Sequence, residues 1–72
     1  MGNTIRIKLG KKIKEIRHKR GLTQEKLAEL ASMDYKYLQR LEGKLPPAVK
    51  IDTIEKLSRA LSIQSWELLY FK

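Results

Sequence analysis

Apolar residues recur three and four positions apart in several short segments, and each segment is bounded by a residue that starts or stops a helix. The first run is Leu9, Ile13 and Ile16, followed by Gly21. This spacing places side chains on one face of a helix, and glycine is common just after a helix ends. Each segment is too short to be stable alone, so the helices must pack around a shared core. The pattern predicts an all-α fold.

The same signals predict four further helices and no convincing strand. Thr23 and Asp34 have side chains suited to cap the start of a helix. The later helices are predicted from Thr23 to near Ser32, from Tyr35 to Glu42, from about Ile51 to Leu61, and from a cap at Gln64 or Ser65 to Leu69. The predicted core consists of Leu9, Ile13, Ile16, Leu22, Leu27, Leu30, Ala31, Met33, Leu38, Leu41, Ile54, Leu57, Leu61 and Ile63, and Ile51 is placed on the apolar stripe of the fourth helix.

Residues 1–8 are expected to form an N-terminal arm and residues 9–72 a single folded domain. Ile5 and Ile7 alternate with Arg6 and Lys8. That alternation fits a short strand, and it also fits the start of a helix. With 72 residues in the chain, a second domain is not expected.

The positive charge is concentrated near the N-terminus. The net charge is +8 and the isoelectric point about 10.0, and residues 1–20 contain eight basic residues and only one acidic residue. Such an excess indicates a polyanionic partner. A merely solvated face and a membrane-surface helix are the alternatives, and the core pattern of the remaining chain weighs against the membrane. No apolar run is long enough for a span or a secretory signal, so we expect a cytoplasmic protein.

Several classes of catalytic and metal site are excluded by composition. The chain has no cysteine and one histidine, His18. Thiolate metal sites and cysteine nucleophiles are therefore impossible, and most zinc sites lack enough ligands. There is also no glycine-rich phosphate loop. We expect no enzyme activity, no cofactor and no small-molecule ligand.

Residues 24–41 have the spacing of a helix-turn-helix. Two helices that cross at a steep angle need a small side chain where their backbones approach, and Ala28 stands there. Met33 in the turn is expected to pack inward, and Leu38 and Leu41 to anchor the second helix. Its opposite face stays free, as in the motif whose second helix enters the DNA major groove.

Three stretches carry a family resemblance. GLTQEKLA at 21–28, LQRLEGK at 38–44 and DTIEKLSRAL at 52–61 resemble the phage Cro/repressor-type helix-turn-helix proteins, the XRE family. The resemblance extends from about Leu9 to Leu69. It implies a five-helix lambda-repressor-like DNA-binding domain. It further implies a sequence-specific transcription regulator, a repressor, that binds palindromic operator DNA as a homodimer.

The resemblance also implies roles for individual residues. Those matching the family's base-reading positions are Tyr35, Lys36, Gln39 and Arg40. Those matching its phosphate-binding positions are Arg17, Gln24, Tyr37 and Lys44. Arg17 also matches one half of a pair, with Glu42, that bonds across the first and third helices. Ser32 stands where the family commonly has glycine, and in a left-handed conformation serine costs about 1 kcal/mol more.

The C-terminal segment is more apolar than a fraying terminus. Its side chains must partly close the core, and the rest are predicted to form the homodimer contact, with Leu45 and Val49 nearby. The residues assigned to that interface are Trp66, Leu69, Tyr70 and Phe71. The alternative function is a protein-interaction module, such as an antitoxin or coactivator-like domain with a toxin or other protein partner. Phage control, restriction–modification control and toxin–antitoxin control stay open as settings.

Overall fold

The computed structural model describes residues 4–71. The five helices are α1 (Thr4–Lys19), α2 (Gln24–Leu30), α3 (Tyr35–Leu41), α4 (Ile51–Leu61) and α5 (Ser65–Leu68). No strand occurs between residues 4 and 71. The predicted all-α, five-helix architecture is confirmed.

Helix α1 begins at Thr4 rather than at Leu9. Residues 4–8, assigned to the N-terminal arm, are therefore helical, and residues 1–3 of that arm lie outside the described residues. Ile5 lies one turn before Leu9 and Ile13 on the same face, so the helix extends the apolar stripe. After α1, Gly21 adopts a φ of 69° and Leu22 N donates to the Arg17 carbonyl at 3.0 Å, a left-handed stop of the predicted kind.

The predicted caps of the two central helices are confirmed. Thr23 Oγ1 accepts from Lys26 N at 3.0 Å, and Asp34 Oδ1 accepts from Lys36 N at 2.8 Å. Between these helices Ser32 is left-handed, with a φ of 53°. The expected strained position is therefore real, and it turns the chain sharply from α2 into α3.

The core lies where all five helices meet, and most predicted core residues are in it or packed against it. Its buried members are Leu9, Ile13, Leu27, Ala28, Ala31, Leu38, Leu41, Leu57, Leu61 and Leu68. The prediction that Leu30 belongs to the core is wrong, and Ile51 on the predicted stripe of α4 is also exposed. Leu30 is exposed because Leu27, Ala28 and Ala31 form the buried face of α2, and Leu30 lies about 100° around the helix from the middle of that face. Ile51 is exposed because it is the first residue of α4, ahead of the buried turns.

Candidate nucleic-acid interface

Helices α2 and α3 form one unit whose inner side is fixed by the core. Ala28 is buried on α2, and Leu38 and Leu41 are buried on α3. Met33 N donates to the Ala28 carbonyl at 2.9 Å, so the turn is tied back to α2. The unit holds α3 by one side and leaves its other side to solvent. This is the arrangement that the spacing of residues 24–41 predicts.

The exposed side of α3 carries the four residues predicted to read bases. Tyr35, Lys36, Gln39 and Arg40 are all exposed, and their spacing brings them to one side of the helix. Gln39 Nε2 donates to the Tyr35 hydroxyl at 3.1 Å. We call these four residues the reading face. They combine two cationic donors with an amide that both donates and accepts, which suits guanine and adenine edges in the major groove.

A buried ion pair joins α1 to the end of α3. Arg17 Nε donates to Glu42 Oε2 and Arg17 Nη2 to Glu42 Oε1, each at 2.9 Å. The two side chains are only 8% and 2% exposed, and Arg17 Nη1 also donates to the Leu22 carbonyl at 2.8 Å. Bidentate geometry fixes orientation as well as distance. The predicted bond between these residues is present, and it fixes the direction of α3 relative to α1.

The same α1–α3 contact depends on Gly10, which the sequence analysis did not single out. A Cβ atom at Gly10 would meet the Leu41 carbonyl oxygen and lie 3.4 Å from the Cα atom of Glu42. Glycine inside a helix costs about 1 kcal/mol relative to alanine. The close approach of the α1 backbone to the backbone of Leu41 and Glu42 explains why glycine stands at this position. A glycine within an otherwise periodic helical run was the available signal.

Gln24 and Arg17, both predicted to bind phosphate, lie in the same polar cluster. Gln24 Nε2 donates to Glu42 Oε1 at 3.0 Å, a bond the sequence did not reveal. Gln24 is the first residue of α2 and is half-buried. Arg17 is buried, and its guanidinium is engaged by protein acceptors, so it offers little surface to a phosphate. The phosphate roles of both stay predictions, and Gln24 is better placed for one.

Tyr37 and Lys44, the other predicted phosphate ligands, lie in the first turn of α3 and in the loop after that helix. Tyr37 packs against the core and its hydroxyl donates to the Ala48 carbonyl at 3.4 Å. The hydroxyl oxygen can still accept a hydrogen bond, but its proton is donated to the loop. Lys44 is exposed in the loop that follows α3. The exposed Lys44 ammonium thus suits a contact with a DNA phosphate, whereas the Tyr37 hydroxyl also holds the loop through Ala48.

The four residues predicted at the dimer interface line more than one depression of the C-terminal region. Trp66 and Tyr70 line a groove between α1 and the C-terminal segment, whereas Leu69 lines an apolar depression together with Ile5 and Val49. Phe71 is half-buried against the core. We call the first the aromatic groove and the second the Leu69 surface. The dimer contact of these residues stays a prediction, and the structure offers two surfaces for it.

Neither a membrane span nor a metal cluster is found in the part of the chain that the structure describes. No helix within residues 4–71 combines the length and apolar character needed to cross a bilayer. The same residues bring no three potential metal-ligating side chains together.

Comparisons with known proteins agree on one family. The profile of Cro/C1-type helix-turn-helix DNA-binding domains matches residues 12–72. Control protein C.BamHI of Bacillus amyloliquefaciens is 39% identical over 72 residues, which cover 99% of this chain and 88% of that protein.

Solved structures give the same result. The restriction–modification controller protein C.AhdI of Aeromonas hydrophila superposes with a TM-score of 0.82 at 36% identity, covering 88% of this chain and 94% of that one. Another controller protein, C.Esp1396I bound to a 19-base-pair DNA duplex, gives a TM-score of 0.82 at 28% identity, covering 92% and 91%. The resemblance extends over nearly the whole chain in each case.

Proposed function

Because the chain belongs to the Cro/C1-type helix-turn-helix DNA-binding family and is a DNA-binding transcription regulator, we propose that it controls restriction–modification genes in the cytoplasm. In this proposal it represses transcription by binding a palindromic operator as a homodimer. Similarity to two controller proteins at 36% and 39% identity supports that setting over phage or toxin–antitoxin control.

The observation that carries the proposal is the reading face, exposed on a helix that buried contacts hold from behind. Base recognition needs donors and acceptors held at fixed positions. Leu38 and Leu41 fix the depth of α3, and the Arg17–Glu42 pair fixes its direction. With α3 in the major groove, Lys36 and Arg40 would donate to guanine and Gln39 would pair with adenine.

Phosphate contacts would set the register of α3 without reading sequence. Gln24 at the start of α2 and Lys44 after α3 flank the reading face in the chain. The eight basic residues of the first twenty would add a field that attracts DNA of any sequence. Recognition and attraction are thereby assigned to different parts of the chain.

We place the homodimer contact on the Leu69 surface. Ile5 and Leu69, which line that surface with Val49, are 60% and 43% exposed. Such side chains on a small domain mark a contact surface. A two-fold contact would present two α3 helices to half-sites about one helical turn apart.

Selection from random duplex DNA tests the proposed function. We expect enrichment of one sequence with two-fold symmetry, its half-sites separated by about ten base pairs. The salt concentration must be fixed and stated, because the phosphate contribution falls steeply with salt. Uniform, salt-labile binding without enrichment would contradict sequence-specific recognition.

Sedimentation of surface variants tests the dimer contact separately. Ile5→Glu and Leu69→Glu should shift the protein to monomer, because each places a carboxylate in the apolar contact that these exposed residues line. Leu30→Glu is the matched control, since Leu30 is an exposed leucine on α2 that does not line the Leu69 surface. A dimer that survives both test variants would move the interface elsewhere while leaving DNA recognition intact.

A further inference from the structure

The aromatic groove has no place in the function proposed above. It is about 710 Å³ in volume and is lined by the half-buried Ile16 and Ile63 and by the exposed Trp66 and Tyr70. The two aromatic side chains are 64% and 53% exposed, and their rings meet edge to face at 6.2 Å and 85°. Aromatic side chains of this size are usually buried in a core or an interface. Their exposure beside a groove indicates a partner.

The rim of the aromatic groove is basic. Lys12, Lys19 and Arg20 line it, and among the lining residues Glu67 is the single carboxylate. Glu67 accepts a backbone N–H at the start of α5 at 2.7 Å, so it belongs to the helix cap. Glu15 is shared between Lys12 at 3.9 Å and Lys19 at 3.7 Å. The rim therefore keeps an excess of positive charge.

This combination of charge and apolar surface selects among partners. A second copy of the chain would bring two basic rims together across a two-fold axis, which costs Coulomb energy. The phosphates of duplex DNA would satisfy Lys12, Lys19 and Arg20 but leave Trp66 and Tyr70 in water. An acidic protein segment with apolar side chains matches both features.

We propose that the aromatic groove is a docking site for an acidic, apolar segment of another protein. Apolar side chains of that segment pack against Trp66 and Tyr70, and its carboxylates pair with the ammonium and guanidinium groups of the rim. No residue of α2 or α3 lines the groove. The partner can therefore bind without using the residues that read DNA.

Trp66 provides a direct measurement because it is the only tryptophan of the sequence. The probe is a tryptophan-free synthetic peptide of about fifteen residues in which Asp and Glu alternate with Leu and Phe. We expect saturable binding to the full chain with a blue shift of Trp66 emission, because the peptide removes water from the indole. The Lys12→Gln, Lys19→Gln double variant should weaken binding about five- to tenfold.

Matched controls make the result specific. Lys14→Gln should leave peptide binding unchanged, since Lys14 lies on the same helix but does not line the groove. A peptide with Gln and Asn in place of its acids should bind at least tenfold more weakly. Retained helical circular dichroism shows that each variant is folded.

Three results would overturn the proposal. The first is no saturable shift with the acidic peptide, or equal binding of its uncharged counterpart. The second is a Trp66 shift that follows protein concentration alone, which would assign the groove to a second copy. The third is the same shift with duplex DNA, competed away by the peptide, which would assign the groove to the phosphate backbone.

Discussion

Removing the positive partner of the buried Arg17–Glu42 pair is expected to destabilise the whole domain. In Arg17→Met the Glu42 carboxylate, 2% exposed, keeps only the Gln24 amide as a side-chain partner at 3.0 Å. The Leu22 carbonyl also loses its donor. An uncompensated buried charge is the main cost, and the lost bonds add to it.

The magnitude is large for a chain of this length. Breaking one side of a buried pair typically costs about 3–5 kcal/mol. A domain of 72 residues has a free energy of unfolding of roughly 4–11 kcal/mol, at about 0.05–0.15 kcal/mol per residue. Arg17→Met should therefore lose between about a quarter of its stability and all of it. The double variant Arg17→Met, Glu42→Leu should recover most of the loss, because no charge is then buried.

Urea unfolding followed by circular dichroism measures these free energies and gives the coupling between the two residues. The exposed pair Arg59–Glu55, at 3.4 Å, is the matched control. Arg59→Met should cost no more than about 0.5 kcal/mol. A cost for Arg17→Met as small as that of the control would refute the argument that burial makes the pair important.

Two backbone positions and one helix cap should also affect the stability of the domain. Gly10→Ala should lower the free energy of unfolding by about 1–3 kcal/mol, because the steric cost of its Cβ against the Leu41 carbonyl oxygen outweighs the gain in helix propensity. A higher melting temperature would disprove the close approach. Ser32→Gly should raise stability by up to about 1 kcal/mol by relieving a φ of 53°, and a loss measured in urea would contradict this. Asp34→Ala should cost about 0.5–2 kcal/mol by removing the α3 cap, whereas Asp52→Ala in the first turn of α4 should cost less; equal thermal shifts would argue against the cap.

The central unit could be predicted from sequence because local chemistry determines it. Thr23 and Asp34 mark helix starts whatever surrounds them, and the spacing of Leu38 and Leu41 defines which side of α3 is buried. Helical geometry then predicts which side of α3 is exposed, whereas the family resemblance assigned base reading to residues on that side. The Arg17–Glu42 pair came from the family resemblance, since residues 25 positions apart give no local signal.

Features that depend on the relative placement of helices could not be predicted. Gly10 is required by a backbone approach between α1 and α3, and Gln24 meets Glu42 only after three helices have packed. Leu30 shows the same limit, because helical spacing alone does not tell which of two adjacent sides faces the core. Trp66 and Leu69 are exposed apolar residues of the C-terminal segment, and the depression that each one lines is defined only by the packing of the helices.

In the proposed function, DNA sequence is read by the exposed side of α3 and not by the basic first helix. This division of roles is tested by comparing the base preferences of Gln39→Ala, Arg40→Ala and the α1 control Lys14→Ala, each measured by binding to the selected operator and its single-base variants. Gln39→Ala and Arg40→Ala should each lose about 1–3 kcal/mol of preference at one position in each half-site. Lys14→Ala should weaken all sequences alike. Unchanged base preferences in both α3 variants, or a base preference altered by Lys14→Ala, would contradict base reading by α3.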